Sequence, residues 1–140
     1  MALVPRLEFR YTHRYGSEGK GISVPVILRN GAERVAIVAS VDTGASNCLF
    51  ERERGEMLKL KIEDGDPKTF STATGPLRTF GHLVSLMVLN IEFESTVYFF
   101  ADAQINRNLL GRIGWLDRVR FGLVDHDQEL YLSPYDFEPS

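Results

Sequence analysis

Apolar residues fall along this chain in short runs separated by glycine, proline, asparagine and aspartate, from Val24 to Leu132. That rhythm predicts strands joined by tight turns, because amphipathic helices need longer periodic stretches. Val24 to Leu28 and Arg34 to Val41 flank Asn30-Gly31. Both turn residues tolerate positive φ, so the pair predicts a hairpin. Thr69 to Thr72 and Leu77 to Thr79 flank Ala73-Thr74-Gly75-Pro76, a second hairpin. His82 to Leu89 and Phe93 to Phe100 flank Asn90-Ile91-Glu92, a third. Val119 to Val124 and Glu129 to Leu132 flank Asp125-His126-Asp127, a fourth. Glu63-Asp64-Gly65-Asp66-Pro67 reads as a further turn. One segment breaks the β rhythm: Trp115, Leu116 and Val119 share helical spacing and predict about two turns of amphipathic helix from Ile113. Arg52 to Leu58 has room for one more turn. The expected architecture is all-β, a compact barrel or sandwich with one short helix near the C-terminus.

Composition narrows the partners more than the fold. No repeat or linker divides the 140 residues, so 1–140 is read as one domain with a real core. A net charge of −3 and scattered Lys and Arg argue against nucleic acid, which needs a basic face. No run is long and apolar enough to span a membrane, and Met1 to Arg10 lacks a signal-peptide apolar region. The single cysteine, Cys48, excludes an intrachain disulfide and fits a reducing compartment, so the expected location is the cytoplasm. Cys48 reads as a small core hydrophobe, since no base lies near it in sequence. His13, His82 and His126 share no ligand-like spacing with one another or with Cys48, so neither metal nor cofactor is expected.

The chemistry concentrates where the run Ile37 to Val41 ends on Asp42-Thr43-Gly44 and returns through Ala45 and Ser46 to Leu49 and Phe50. An acid ending a buried strand must be paired, hydrated or shared, because desolvating it alone is costly. A turn explains Asp and Gly equally well. The tripeptide with Thr or Ser arises by chance in about one chain of this length in fifteen. Its context is more specific than that: a buried strand before it, an apolar return after it, and later the aliphatic run Leu109-Leu110 leading into Gly111-Arg112.

In that context Val41-Asp42-Thr43-Gly44-Ala45-Ser46 resembles the active-site loop of retropepsin-like aspartic proteases, and Asn108-Leu109-Leu110-Gly111-Arg112 resembles their second signature. Thr69 to Phe80 lies where that family carries its flap. The resemblance spans about residues 34–132, is nearest to the stand-alone bacterial members, and leaves 1–20 as an N-terminal extension. It implies an acid-protease barrel acting as a homodimeric aspartic endopeptidase on peptide or protein substrates. Asp42 would be the catalytic acid, one per protomer, with Thr43 bracing the pair across the twofold axis and Gly44 leaving room for substrate backbone. Ala45 and Ser46 would line the cleft floor. Thr72, Ala73, Thr74, Gly75, Pro76 and Leu77 would close over an extended peptide, and Leu110 and Gly111 would wall the cleft. Arg112 would be structural.

Independent chemistry points the same way. Hydrolysis by carboxylates needs two acids sharing a proton, and this chain has one Asp-Thr-Gly. Asp102, Asp117 and Asp125 follow apolar residues but lack the Thr-Gly. A twofold dimer supplies the second acid. The sequence also departs from the family. Ser46 stands where retroviral members often carry the acid that pairs with the signature arginine, leaving Arg112 without an evident partner. Ile113 follows the signature in place of Asn or Asp. Ala45 replaces a serine that hydrogen-bonds the carboxylate in pepsin-like chains. Two other readings stay open: a catalytically silent dimer that holds extended peptides, and a β-barrel for a small ligand that shares only the tripeptide.

Overall fold

The structure, a computed structural model, describes residues 3–16 and 21–139. The expected N-terminal extension lies partly outside these, at 1–2 and 17–20. Within it, Tyr11–Arg14 forms β1, which pairs antiparallel with β10 (Glu129–Pro134), and β9 (Val119–Val124) completes a three-stranded sheet in the order β1-β10-β9.

The larger sheet holds seven strands: β2 (Ser23–Asn30), β3 (Glu33–Val41), β4 (Leu49–Phe50), β5 (Asp66–Thr72), β6 (Gly75–Val88), β7 (Ile91–Phe100) and β8 (Leu109–Leu110). Their order is β2-β3-β8-β4-β7-β6-β5, and β2 also pairs with β6. That extra pairing closes a barrel. β6 makes it possible by its length: Gly75 to Gly81 pair with β5, while Ser85 to Val88 pair with β2. Alternation drives the closure. Val24, Val26 and Leu28 point inward from β2, and Val35, Ile37 and Ala39 from β3. They meet Val84, Leu86 and Val88 of β6, with Val97 and Phe99 of β7.

All four expected hairpins form, with small shifts at the tips. The first turns at Gly31-Ala32, where Gly31 takes φ 59°. The third turns at Leu89-Asn90, both at positive φ, the geometry whose twist suits a two-residue hairpin. The α-helix of the fold is α1 (Arg52–Met57), packed through Gly55, where a Cβ would lie 2.6 Å from Ile62 Cδ1. Near the C-terminus the helical element is a single 3₁₀ turn, Leu116–Arg118, rather than two α turns. Gly114 at φ 100° and Trp115 at φ −141° are not helical, and Val119 is already committed to pairing with Pro134. Trp115 is the core anchor of that segment, buried and edge-on to Phe121.

Cys48 is fully buried, and burial pushes its thiol up to about 12, so it is inert as a nucleophile. His82 Nε2 donates to the Ile62 carbonyl at 2.9 Å, tying β6 to the turn before β5. The buried Tyr15 donates its hydroxyl to Asp125, and burial first, then that bond, pushes it up to about 12. Among the described residues no helix is long and apolar enough to cross a membrane.

Candidate active site

The site is built where β8 is threaded between β3 and β4. β8 runs parallel to β3, with Ser40 opposite Leu109 and Val41 opposite Leu110, and meets β4 antiparallel at Leu49. The chain between β3 and β4 must therefore arch over β8, and Asp42 is the first residue of the arch. Its amide donates to the Leu110 carbonyl at 2.9 Å, which continues the ladder one residue beyond the strand. Its carbonyl accepts from Ala45 at 3.1 Å, closing a turn. Gly44 N–H donates to the Asp42 carboxylate at 2.9 Å. The acid is thus half-buried and aimed by its own loop. A Cβ on Gly44 would lie 3.3 Å from that carboxylate oxygen, a tight contact that would press on the acid's position.

The descending side of the arch rests on the second signature. Arg112 N–H donates to Ala45 at 2.9 Å, and Ile113 N–H to Ser46 at 2.8 Å. Gly111 lies between these bonds. A Cβ there would sit 2.2 Å from the Asn47 carbonyl oxygen and 2.8 Å from that of Ala45. Two stretches of backbone touch at this point, and only glycine permits it. Asn108 fixes the start of β8: its carbonyl accepts from Ser40, and its side chain bonds Glu51 through N–H at 3.1 Å and carboxylate at 2.8 Å.

Asp42, Gly44, Ala45, Ser46, Leu110, Gly111 and Arg112 are therefore brought together by main-chain hydrogen bonds. Thr43 is exposed, and Arg112 pairs with no carboxylate among the described residues. The hairpin of β5 and β6 joins them by packing. Phe70 and Leu77 are cross-strand partners, and both touch an apolar cluster of Leu49, Phe100 and Leu109 that also receives Ala45. Beyond them the tip is solvated. Thr72, Ala73, Thr74 and Pro76 are exposed, and the Thr72 hydroxyl donates to the Gly75 carbonyl at 2.6 Å. Asp42 also borders a concavity of about 610 Å³, with Ile22, Val38, Val41, Arg107 and Leu109.

Residues 24–113 match the family described as aspartyl protease. The chain belongs to the aspartyl protease family. The matched stretch runs from β2 through both halves of the arch, and it contains the Asp42 loop and the Gly111 turn. Two solved structures share the fold of this aspartyl protease. A retropepsin-like aspartic protease from Rickettsia conorii matches at 20% identity and a TM-score of 0.63, covering 88% of this chain and 97% of that one. EIAV protease, complexed with the inhibitor HBY-793, matches at 17% identity and a TM-score of 0.54, covering 70% of this chain and 88% of that one. No curated protein matches the sequence. The fold is retropepsin-like, and the enzyme is an aspartic endopeptidase.

The motif readings left Asn47 and Lys68 out of the site. Asn47 is 4% exposed, and its Oδ1 accepts from the Ser46 hydroxyl at 3.0 Å and from Lys68 Nζ at 3.3 Å. A polar residue set directly before the apolar run Cys48-Leu49-Phe50 was the available signal.

Proposed function

We propose that Asp42 is one half of a catalytic dyad, completed by Asp42 of a second copy around a twofold axis. The observation that carries this reading is a single Asp-Thr-Gly whose carboxylate is aimed by Gly44 N–H at the exposed crest of the arch. One such acid has no second acid of its kind in the same chain. Two brought into contact cannot both ionise easily, so the pair holds one proton over a range of pH. The ionised member then takes a proton from water, which attacks the peptide carbonyl carbon. The protonated member donates to the carbonyl oxygen, giving a tetrahedral diol. Collapse of the diol breaks the C–N bond, with a proton passing to the leaving amine.

In this scheme Thr43, exposed at the crest, bonds across the axis, and Gly44 admits substrate backbone. Ala45 and Ser46 floor the cleft, Leu110 and Gly111 wall it, and Arg112 supports the floor through its N–H to Ala45. Thr72 to Leu77 lie over an extended peptide and bond its main chain, as an added strand does. The ligand is a peptide or protein segment, and no cofactor takes part.

The test is digestion of a peptide library by the wild-type protein and by Asp42→Asn, with sedimentation across a concentration range. Asp42→Asn is expected to lose cleavage by about 10³-fold or more while keeping its fold. Equal cleavage by both proteins, or cleavage by a strict monomer, overturns the mechanism.

A further inference from the structure

We propose that Lys68 and Asn47 form a carboxylate-recognising subsite beside the Asp loop, which selects peptides carrying an acidic side chain. The inference rests on the peptide-cleft reading of the Asp42 loop and adds a side-chain preference to it.

Strand periodicity places Lys68 on the same face of β5 as Phe70, and Phe70 packs on the cluster that receives Ala45. The Lys68 ammonium lies 5.2 Å from the Phe70 ring centre and 5.5 Å from that of Tyr98. Its hydrogen-bond partner is Asn47 Oδ1, the same atom that accepts from Ser46 on the cleft floor. An ammonium only donates, so the contact fixes which way the Asn47 amide faces. Oxygen turns to Lys68, and the NH₂ end has no acceptor among the described residues. Asn47 as a whole is 4% exposed, so this NH₂ meets solvent only at its edge.

The charge is the second observation. Arg14, Arg29, Arg52 and Arg54 each pair with a glutamate, at 2.7, 3.0, 2.6 and 3.1 Å. Lys68 pairs with no carboxylate among the described residues, as is true of Arg112, Arg118 and Arg120, and what sets it apart is its anchor on Asn47 beside the Asp loop. Two aromatic faces stabilise the cation and displace water from its flanks. What remains is an exposed ammonium donor held on Asn47, the residue after Ser46. A carboxylate oxygen can accept from it, and its charge makes the bond to Lys68 a strong one. A neutral amide of the same shape forfeits the charge, and a cation is repelled. The concavity of about 350 Å³ that Asn47 and Tyr98 line also holds Glu94, Asp117 and Arg118 and is not bordered by Lys68, so the subsite is the Lys68 side of Asn47 and not this concavity.

The experiment uses peptide pairs identical except for Glu against Gln at one position, scanned along the sequence. Their binding is measured on the Asp42→Asn protein with and without Lys68→Met, and their cleavage on the wild type and on Lys68→Met alone. At one position the Glu peptide is expected to bind roughly five- to tenfold more tightly, the gain entering through KM in the cleavage assay. Lys68→Met is expected to erase that preference by weakening the Glu peptide more than the Gln peptide, while Lys68→Arg retains it. Equal affinity for Glu and Gln at every position overturns the subsite. So does a preference that survives Lys68→Met. A Lys68→Met effect equal on both peptides means that Lys68 only braces Asn47, and also overturns it. Binding preference without any cleavage by the wild type upholds the subsite and removes the hydrolytic reading instead.

Discussion

The Asp42 arch and the β5–β6 hairpin tip are both loops, but they are held in opposite ways. The arch is bonded backbone to backbone from both sides, through Leu110, Ala45 and Ser46, and Gly111 is pressed against it. The tip at Ala73-Thr74 has its own turn and the Thr72 hydroxyl, and no apolar contact past Phe70 and Leu77. Main-chain anchoring keeps the Asp42 carboxylate in place without spending side chains on the task. Side-chain anchoring at the hairpin's root leaves its end with few contacts to lose on opening. Opening costs least where buried contacts are fewest.

The largest effect is expected at the arch. Gly111→Ala forces two backbones apart and is expected to cost about 3 kcal/mol, lowering Tm by roughly 6–12 °C in a thermal melt. A melt within about 1 °C of wild type would mean that the arch yields and that the contrast with the hairpin is false. A smaller effect is expected at the tip. Gly75 sits at φ 122° with open space around it, so Gly75→Ala meets strain alone and is expected to cost about 1–2 kcal/mol.

Hydrogen exchange compares the two loops directly. Amides at residues 72–75 are expected to exchange fast, whereas those of Asp42, Arg112 and Ile113 are protected by their bonds. A peptide-like inhibitor bearing a tetrahedral hydroxyl is expected to slow exchange at the tip and hardly alter the arch. Equal protection in the free protein would place the hairpin with the rigid half.

The smallest effect concerns the hairpin's root. Arg52 holds Glu63 through two bonds, at 2.6 and 2.7 Å, just before β5 begins. The Arg52 hydrogen bonds are the main reason that Glu63 sits below its usual value of 4.5. A depressed carboxylate stabilises the fold above its unfolded pKa, and that contribution is lost as pH falls through the folded one. Exchange in β5 is therefore expected to rise as pH drops below about 4.5, after correction for intrinsic rates. Glu63→Gln is expected to remove that pH dependence; an unchanged profile would assign it to another acid.

Much of this contrast was legible in the sequence, for reasons that can be named. Asn30-Gly31 and the turns after Thr72, Leu89 and Val124 mark the hairpins because local chemistry alone decides them. Asp42-Thr43-Gly44 and Gly111 were legible because each carries a backbone demand. The helix expected after Ile113 was overridden by Gly114 and by strand pairing at Val119, neither visible in a hydrophobic period. Asn47 and Lys68 escaped because their meeting depends on β5 folding back over the arch. A lysine on an exposed strand gives no local sign of that.

The three-stranded sheet has a kinetic consequence. β1 and β10 are far apart in sequence, and β1 has no other strand partner among the described residues. Closing the loop between such distant segments is an entropic cost that slows folding. On the ribosome, Tyr11 to Arg14 must wait as an unpaired edge until Glu129 to Pro134 have emerged. Until then the emerging chain carries the Asp42 loop without the last sheet of its fold.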